Sequence, residues 1–313
     1  MNVSPLSKPK RIAVIGAGEV GSTTAYTLFL RKRAEEIVLI DIAKKKALGD
    51  ALDMSHGLPF VGGVKVWAGE YSDCADADII IVTAGAAQRP GETRQDLLGR
   101  NASIIQQIVL EIVAHNQRGI ILMATNPVDV LSYLAWKTSG WESSRVIGSG
   151  TLLDSARFRY LIGNELGVDP RSVHAHIVGE HGDTELPVWS RANITGVPIE
   201  FSSEAKQSIY EQTKQAAYQI IEAKGYTSYA IALALDRICA AILSDEHAVL
   251  NVSTLLTDYH GISDTYLGVP CVVGRSGVER VIDLGPSESE FALLQASAKA
   301  LKTRIDWAMN AIS

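Results

Sequence analysis

The chain has 313 residues, room for one large domain or two ordinary ones, and 47% of them are hydrophobic, ample for a packed core. Its 29 basic and 35 acidic side chains leave a formal charge of -6, with neither sign gathered in a tail. That distribution excludes the electrostatic footprint of a nucleic-acid binder.

Cys74, Cys239 and Cys271 are odd in number, far apart and never in a CxxC pair. This argues against a disulfide framework or a zinc knuckle, so no metal site is expected and a reducing cytoplasm fits best. Near the N-terminus, Lys8, Lys10 and Arg11 precede an apolar run that stops at Gly16, too short for a signal peptide. No segment is expected to supply the ~18 to 20 apolar residues of a membrane helix.

Taken in chain order, short continuous apolar runs at 12–15, 37–40, 64–66, 79–82 and 120–123 read as strands buried on both faces of a parallel sheet. Helix-length stretches at 20–33, 43–56 and 93–115 lie between them, so the unit is strand, helix, strand. The pattern predicts an α/β fold with a doubly wound, Rossmann-like parallel sheet. After Gly148 the rhythm changes. A helix is expected over 152–166, ended by Gly167 and Pro170, then helices over 204–223 and 229–243. An antiparallel group follows at 249–256, 269–273 and 278–283. Phe291, Leu294, Ala298, Leu301, Ile305 and Met309 give the last helix its amphipathic spacing. The division expected is 1–148 for a dinucleotide-binding domain and 149–313 for an α+β substrate domain.

Residues 16–21, GAGEVG, follow the first strand and open a helix. In that setting Gly16 permits the tight turn, Gly18 admits a pyrophosphate to the backbone, and Gly21 lets helix and strand pack closely, with Val20 in the same cofactor-binding loop. Free N–H groups of the helix start then face the phosphates. Asp41 ends the second strand 20 residues after Gly21, placed to accept from both adenosine ribose hydroxyls and to repel a 2'-phosphate. The cofactor expected is NAD rather than NADP; the lysines at 44–46 read as a solvated face.

His181 stands in a glycine-flanked segment after the apolar Ile177 and Val178, and an imidazole both gives and takes protons near neutrality. Asp154 opens a helix whose other early residues are apolar. Arg157 lies three residues later, one turn along the same face, where a guanidinium can grip a substrate carboxylate through two parallel hydrogen bonds. Arg94 follows a Pro-Gly loop after the fourth strand, positioned to close over a ligand.

With these residues in hand the chain resembles the lactate and malate dehydrogenase family from about residue 9 to 312. The stretches that carry the resemblance are GAGEVG, the strand-end Asp41, TAGAAQRPGETR, TNPVDVLSY, GSGTLLDSARFR, VGEHGDTELPVWS and KGYTSYAIA. It implies hydride transfer between nicotinamide and a small 2-keto or 2-hydroxy acid, with His181 as acid and base and Asp154 favouring its protonated form. Arg94 would stabilise charge on the reacting oxygen, worth roughly 3 to 4 kcal/mol by analogy with oxyanion donors. Arg157 would anchor the carboxylate, Asn126 would bond the reacting oxygen or the nicotinamide side, and Thr227 and Ile231 would line the pocket.

Where the malate enzymes of this family carry an arginine for the second carboxylate, this chain has Gln88, so the substrate expected is pyruvate or L-lactate. Arg89, one residue on, is an ordinary loop cation. Arg159 and His174 match positions that bind fructose 1,6-bisphosphate across a subunit interface in regulated bacterial members, implying a homotetramer activated by that effector. The rival readings are a malate dehydrogenase and a non-catalytic NAD-binding scaffold.

Overall fold

β-Branched and leucine-rich runs need cover on both faces, and the first half of the chain supplies it by alternating strands with helices. The structure, a computed structural model, describes residues 8–86, 91 and 93–312. In chain order come β1 (Arg11–Ile15), α1 (Glu19–Leu30), β2 (Glu36–Ile40), α2 (Lys44–His56), the single-turn α3 (Leu58–Val61) and β3 (Lys65–Ala68). Then follow β4 (Ile79–Val82), α4 (Arg94–His115), β5 (Ile120–Met123), α5 (Val128–Ser139) and β6 (Val146–Gly148). The order across the sheet is β6-β5-β4-β1-β2-β3, every neighbour parallel. The strand order therefore reverses between β1 and β4, the switch point at whose carboxyl ends doubly wound sheets bind ligands.

Local signals fix the helix ends. Thr93 caps α4 by accepting from the Asp96 N–H, and the Asp96 carboxylate accepts in return from the Thr93 N–H. Gly140 and Gly167 take the left-handed conformation that closes α5 and α6. One expectation needs correcting: the span 95–115 is long and apolar enough to cross a membrane by length and composition. It is the inner stripe of α4 that makes it so. Leu98, Ala102, Ile105, Val109 and Ile112 recur at three- and four-residue spacing and are buried in the core, while Ser103, Gln107 and Glu111 are exposed.

The second half contains α6 (Leu152–Leu166), the two-residue strands β7 (Val173–His174), β8 (Ile177–Val178), β9 (Leu186–Pro187), β10 (Asn193–Ile194) and β11 (Val197–Pro198), then α7 (Ser203–Lys224) and α8 (Tyr229–Leu243). It ends with β12 (Ala248–Leu256), β13 (Thr265–Gly274), β14 (Gly277–Val281) and α9 (Glu288–Ile312). The last three strands are antiparallel, as expected, but they are no separate sheet. β12 pairs with β6 through Ser253 and Gly148, so they extend the parallel sheet to nine strands. The reason is the edge: without β12, β6 would present a row of unpaired backbone groups.

Two apolar cores result. The larger wraps the nine-stranded sheet, and the smaller holds Phe158 and Ile162 of α6 against Val173, Ile177, Ala192 and Ile209. α6 lies between them, and its first turn carries Asp154.

Candidate active site

At the switch point the glycines do what their spacing requires. Gly16 has φ +102, and a Cβ there would stand 2.6 Å from the Ala84 nitrogen. A Cβ on Gly21 would stand 1.8 Å from the Gly16 carbonyl oxygen. Gly18 is the N-cap of α1, no side chain caps that helix, and a Cβ on Gly18 would meet nothing within 4 Å. A helix start with uncapped N–H groups and an open approach fits a pyrophosphate. Val20 in the first turn is half-buried against the larger core.

Asp41 leaves the end of β2, where its Oδ2 accepts the Ala17 N–H at 2.5 Å and its Oδ1 the Ala43 N–H at 2.7 Å. The carboxylate is thereby fixed beside the glycine loop, and each oxygen keeps a second lone pair for a ribose hydroxyl. Two lysines of the run are engaged elsewhere: Lys44 pairs with Glu70 and Lys46 with Asp50. These residues fit the adenosine diphosphate half of NAD.

The titratable residues gather on the other side of β6. His181 follows β8, and its Nδ1 lies 2.6 Å from Asp154 Oδ2. Arg157, one turn along α6, donates from Nη1 to Asp154 Oδ1 at 2.9 Å. Asp154 is 2% exposed, so a bare carboxylate there would be costly without both cations. Burial alone would raise its pKa, but the charge of His181, with hydrogen bonds from His181 and Arg157, holds it below the usual carboxylate range.

The reciprocal effect appears on the imidazole. The Asp154 charge outweighs burial and raises His181 to about 9. With Nδ1–H committed to Asp154, Nε2 is the nitrogen left to exchange a proton with substrate. The His181 side chain keeps 26% of its surface open, whereas that of Arg157 keeps 14%. Pairing with Asp154 uses one of five guanidinium N–H donors, leaving Arg157 able to take a carboxylate.

Two acids in this cluster were not singled out from the sequence. Asp129, in the first turn of α5, accepts the His181 backbone N–H at 2.7 Å through Oδ2. Burial raises its carboxyl to about 6. Glu185, four residues after His181, is 5% exposed. Burial and the Asp154 charge raise it to about 8. The signal available for both was an acid inside an apolar setting: Val128 and Val130 flank the first, Leu186 and Pro187 follow the second.

Asn126 is exposed at the end of β5, three residues before Asp129. Thr227 lies half-buried between α7 and α8, and Ile231 is half-buried in the first turn of α8 against the larger core. No hydrogen bond joins these three to the His181 cluster among the described residues. Gln88 and the side chain of Arg94 lie outside the described residues; the backbone of Arg94 opens α4.

No side-chain hydrogen bond or ion pair joins Arg159 or His174 to the His181 cluster among the described residues. Arg159 donates weakly from Nη2 to the Arg171 carbonyl at 3.4 Å, and its Nε is buried without a partner among the described residues. Burial lowers the His176 pKa, and the charges of Arg159 and His174 lower it further.

A glycine turn that fits a dinucleotide and, in the same chain, a histidine and an arginine sharing one buried carboxylate are the arrangement an NAD-dependent oxidoreductase requires. The model of the lactate/malate dehydrogenase NAD-binding domain matches residues 10–148, and that of the family's α/β C-terminal domain matches 151–312. The chain belongs to the lactate/malate dehydrogenase family. It is 50% identical to an L-lactate dehydrogenase of Acetivibrio thermocellus over 302 residues, 94% of this chain and 95% of the relative. It is also 50% identical to one of Priestia megaterium over 307 residues, 96% of each. Among solved structures, a lactate dehydrogenase from a Medee basin deep-sea metagenome library superposes with TM-score 0.93 at 44% identity, covering 96% of this chain and 99% of that one. The minor L-lactate dehydrogenase of Enterococcus mundtii gives 0.93 at 42% identity, covering 95% and 98%.

Proposed function

We propose that this protein is an L-lactate dehydrogenase that interconverts pyruvate and L-lactate with NAD in the cytoplasm, residues 1–148 holding the cofactor and 149–313 the substrate. The observation that carries the reading is the 2.6 Å bond from His181 to an Asp154 that also binds Arg157, one carboxylate fixing both the proton carrier and the anion clamp. Bound NADH supplies the hydride. His181 Nε2 gives its proton to the ketone oxygen in reduction and takes it back in oxidation. Arg157 turns its free N–H donors to the substrate carboxylate. Arg94 stabilises charge on the ketone oxygen. Asn126 bonds that oxygen or the nicotinamide side, Thr227 and Ile231 line the pocket, and Gln88 meets the methyl end. Gly16, Gly18, Val20, Gly21 and Asp41 hold the adenosine half.

We extend the reading to regulation by fructose 1,6-bisphosphate at Arg159 and His174. Its support is the Arg159 Nε, buried without a partner among the described residues, on a guanidinium whose charge disfavours a proton on His176; a bound phosphate would pair with it. The assembly proposed is a homotetramer. Its support is a row of exposed apolar side chains on four neighbouring helices: Tyr26 and Leu30, Leu48 and Leu52, Phe60, and Tyr229 and Leu233. Buried free thiols suit a reducing compartment, with burial pushing Cys74 up to about 12.

Steady-state NADH oxidation with pyruvate and with oxaloacetate, each with and without the bisphosphate, tests these assignments together. The expected result is a kcat/KM for pyruvate exceeding that for oxaloacetate by ~10³, the discrimination that about 4 kcal/mol of unpaired buried charge produces, and a lower pyruvate KM with the effector. Preference for oxaloacetate overturns the substrate assignment. A saturation curve unchanged by the bisphosphate from pH 6 to 8 overturns the effector.

A further inference from the structure

Glu185 has no role in the mechanism above, yet it sits in the middle of its charges. Its carboxylate, the Asp154 carboxylate and the His181 imidazole each place an atom within 4.8 Å of the others. Glu185 Oε1 is buried without a hydrogen-bond partner among the described residues. Three such ligands at that spacing would ordinarily invite a divalent cation, but here Asp154 Oδ2 is spent on His181 and Oδ1 on Arg157. With Arg157 adjoining, a proton on Glu185 relieves the crowding of charge more simply. The charged and titratable groups facing Glu185 are Asp154 and Arg157 on α6, His181 after β8, and Lys214 and Tyr210 on α7. The Tyr210 hydroxyl donates to the Glu185 backbone carbonyl at 2.5 Å, holding that stretch of chain against α7.

We propose that Glu185 is a protonation gate for substrate entry: the site accepts an anionic 2-keto acid when Glu185 is uncharged and rejects it when Glu185 is ionised. The inference rests on the assignment of His181 and Arg157 above. The charge balance supplies the reason. With His181 protonated and Glu185 neutral, the positive charges of Arg157, His181 and Lys214 exceed the negative charges of Asp154 and Asp129 by one. A keto-acid carboxylate then completes a neutral, largely dry cluster. With Glu185 ionised, the cluster is already neutral, and the incoming anion leaves an uncompensated buried charge beside a carboxylate that cannot be screened. Glu185 is therefore a positioning residue for charge, acting on substrate binding through the field at Arg157 and His181.

The gate has a kinetic signature that simple packing lacks. Two protons, one on His181 and one on Glu185, must be present for pyruvate to bind productively, so the alkaline limb of log kcat/KM against pH reaches a slope of -2. In the bound complex the substrate anion holds Glu185 neutral, so the limb of kcat alone has slope -1. Glu185→Gln keeps the shape of the neutral acid and removes the second ionisation, so its kcat/KM limb has slope -1.

With Glu185 titrating at about 8, wild type at pH 9.5 loses about 30-fold more of its neutral-pH kcat/KM than the variant does. Glu185→Asp, which retains an acid, restores the second-order limb. The measurement is pyruvate reduction by the intact enzyme from pH 6 to 10. A wild-type limb of slope -1 overturns the gate without any variant having to fold, as does a slope of -2 that survives in Glu185→Gln. His181→Asn in the same series separates the two assignments: if it keeps the wild-type rate, the histidine reading has failed, whatever the Glu185 slopes show.

Discussion

At the carboxyl ends of β1 and β4 the ligand-facing surface is made of backbone N–H groups and absent side chains, whereas across β6 it is made of four titratable side chains that set one another's charge. The first region works by shape. Its requirement at Gly21 is the absence of a Cβ, which would stand 1.8 Å from the Gly16 carbonyl oxygen. The second works by electrostatics in a poorly solvated pocket, where Asp154, His181 and Glu185 all depart from their ordinary ionisation. Cofactor affinity should therefore depend little on pH between 6 and 9, and substrate handling should depend on it strongly.

The sharpest way to break that division is His181→Asn. Loss of the proposed proton carrier should cost about 10³-fold in kcat for pyruvate reduction, while NADH affinity, read by fluorescence titration, stays within about twofold. A variant retaining a tenth of the wild-type kcat would move the acid elsewhere.

Asp154→Asn is next, at about 100-fold in kcat/KM, since the tautomer and the Arg157 anchor are both disturbed. It also carries the sign of the pH dependence. His181 is raised from its ordinary value to about 9, so pyruvate reduction, which needs the protonated ring, holds at lower pH and falls as pH rises through 8 to 9. Lactate oxidation needs the neutral ring and rises over the same range. Removing the carboxylate that causes the shift should move both limbs to lower pH; limbs that stay in place would mean another group controls the imidazole.

Gly21→Ala should have the smallest effect on chemistry and the clearest on the cofactor. The added methyl pushes α1 from β1, weakening NADH about tenfold and lowering stability by roughly 1 to 3 kcal/mol in urea unfolding. Its pyruvate pH limbs should match wild type; a shifted limb would mean the regions are coupled through the loop.

What could be read from residue order follows the same divide. The β1–α1 glycine turn, the parallel strands and the opening position of Asp154 are local features, and each was legible from spacing. The pairing of His181 with Asp154 spans 27 positions and reached the sequence reading through family resemblance rather than through any period. Asp129 and Glu185 escaped because an acid among apolar neighbours looks the same whether it caps a helix or enters a buried network. That the antiparallel strands would join β6 also left no mark, since a lone bridge from Ser253 to Gly148 has no sequence pattern.

That bridge bears on how the chain can be taken apart. The halves share one sheet, and Asp236 of α8, 1% exposed, receives Arg33 of the first half through Nε at 2.5 Å and Nη2 at 3.1 Å. Grafting residues 1–148 onto a foreign catalytic half would expose the side of β6 and strand a buried carboxylate. A workable crossover would have to carry β12 and α8 along, so the module for recombination is discontinuous in sequence although the boundary at Gly148 appears clean.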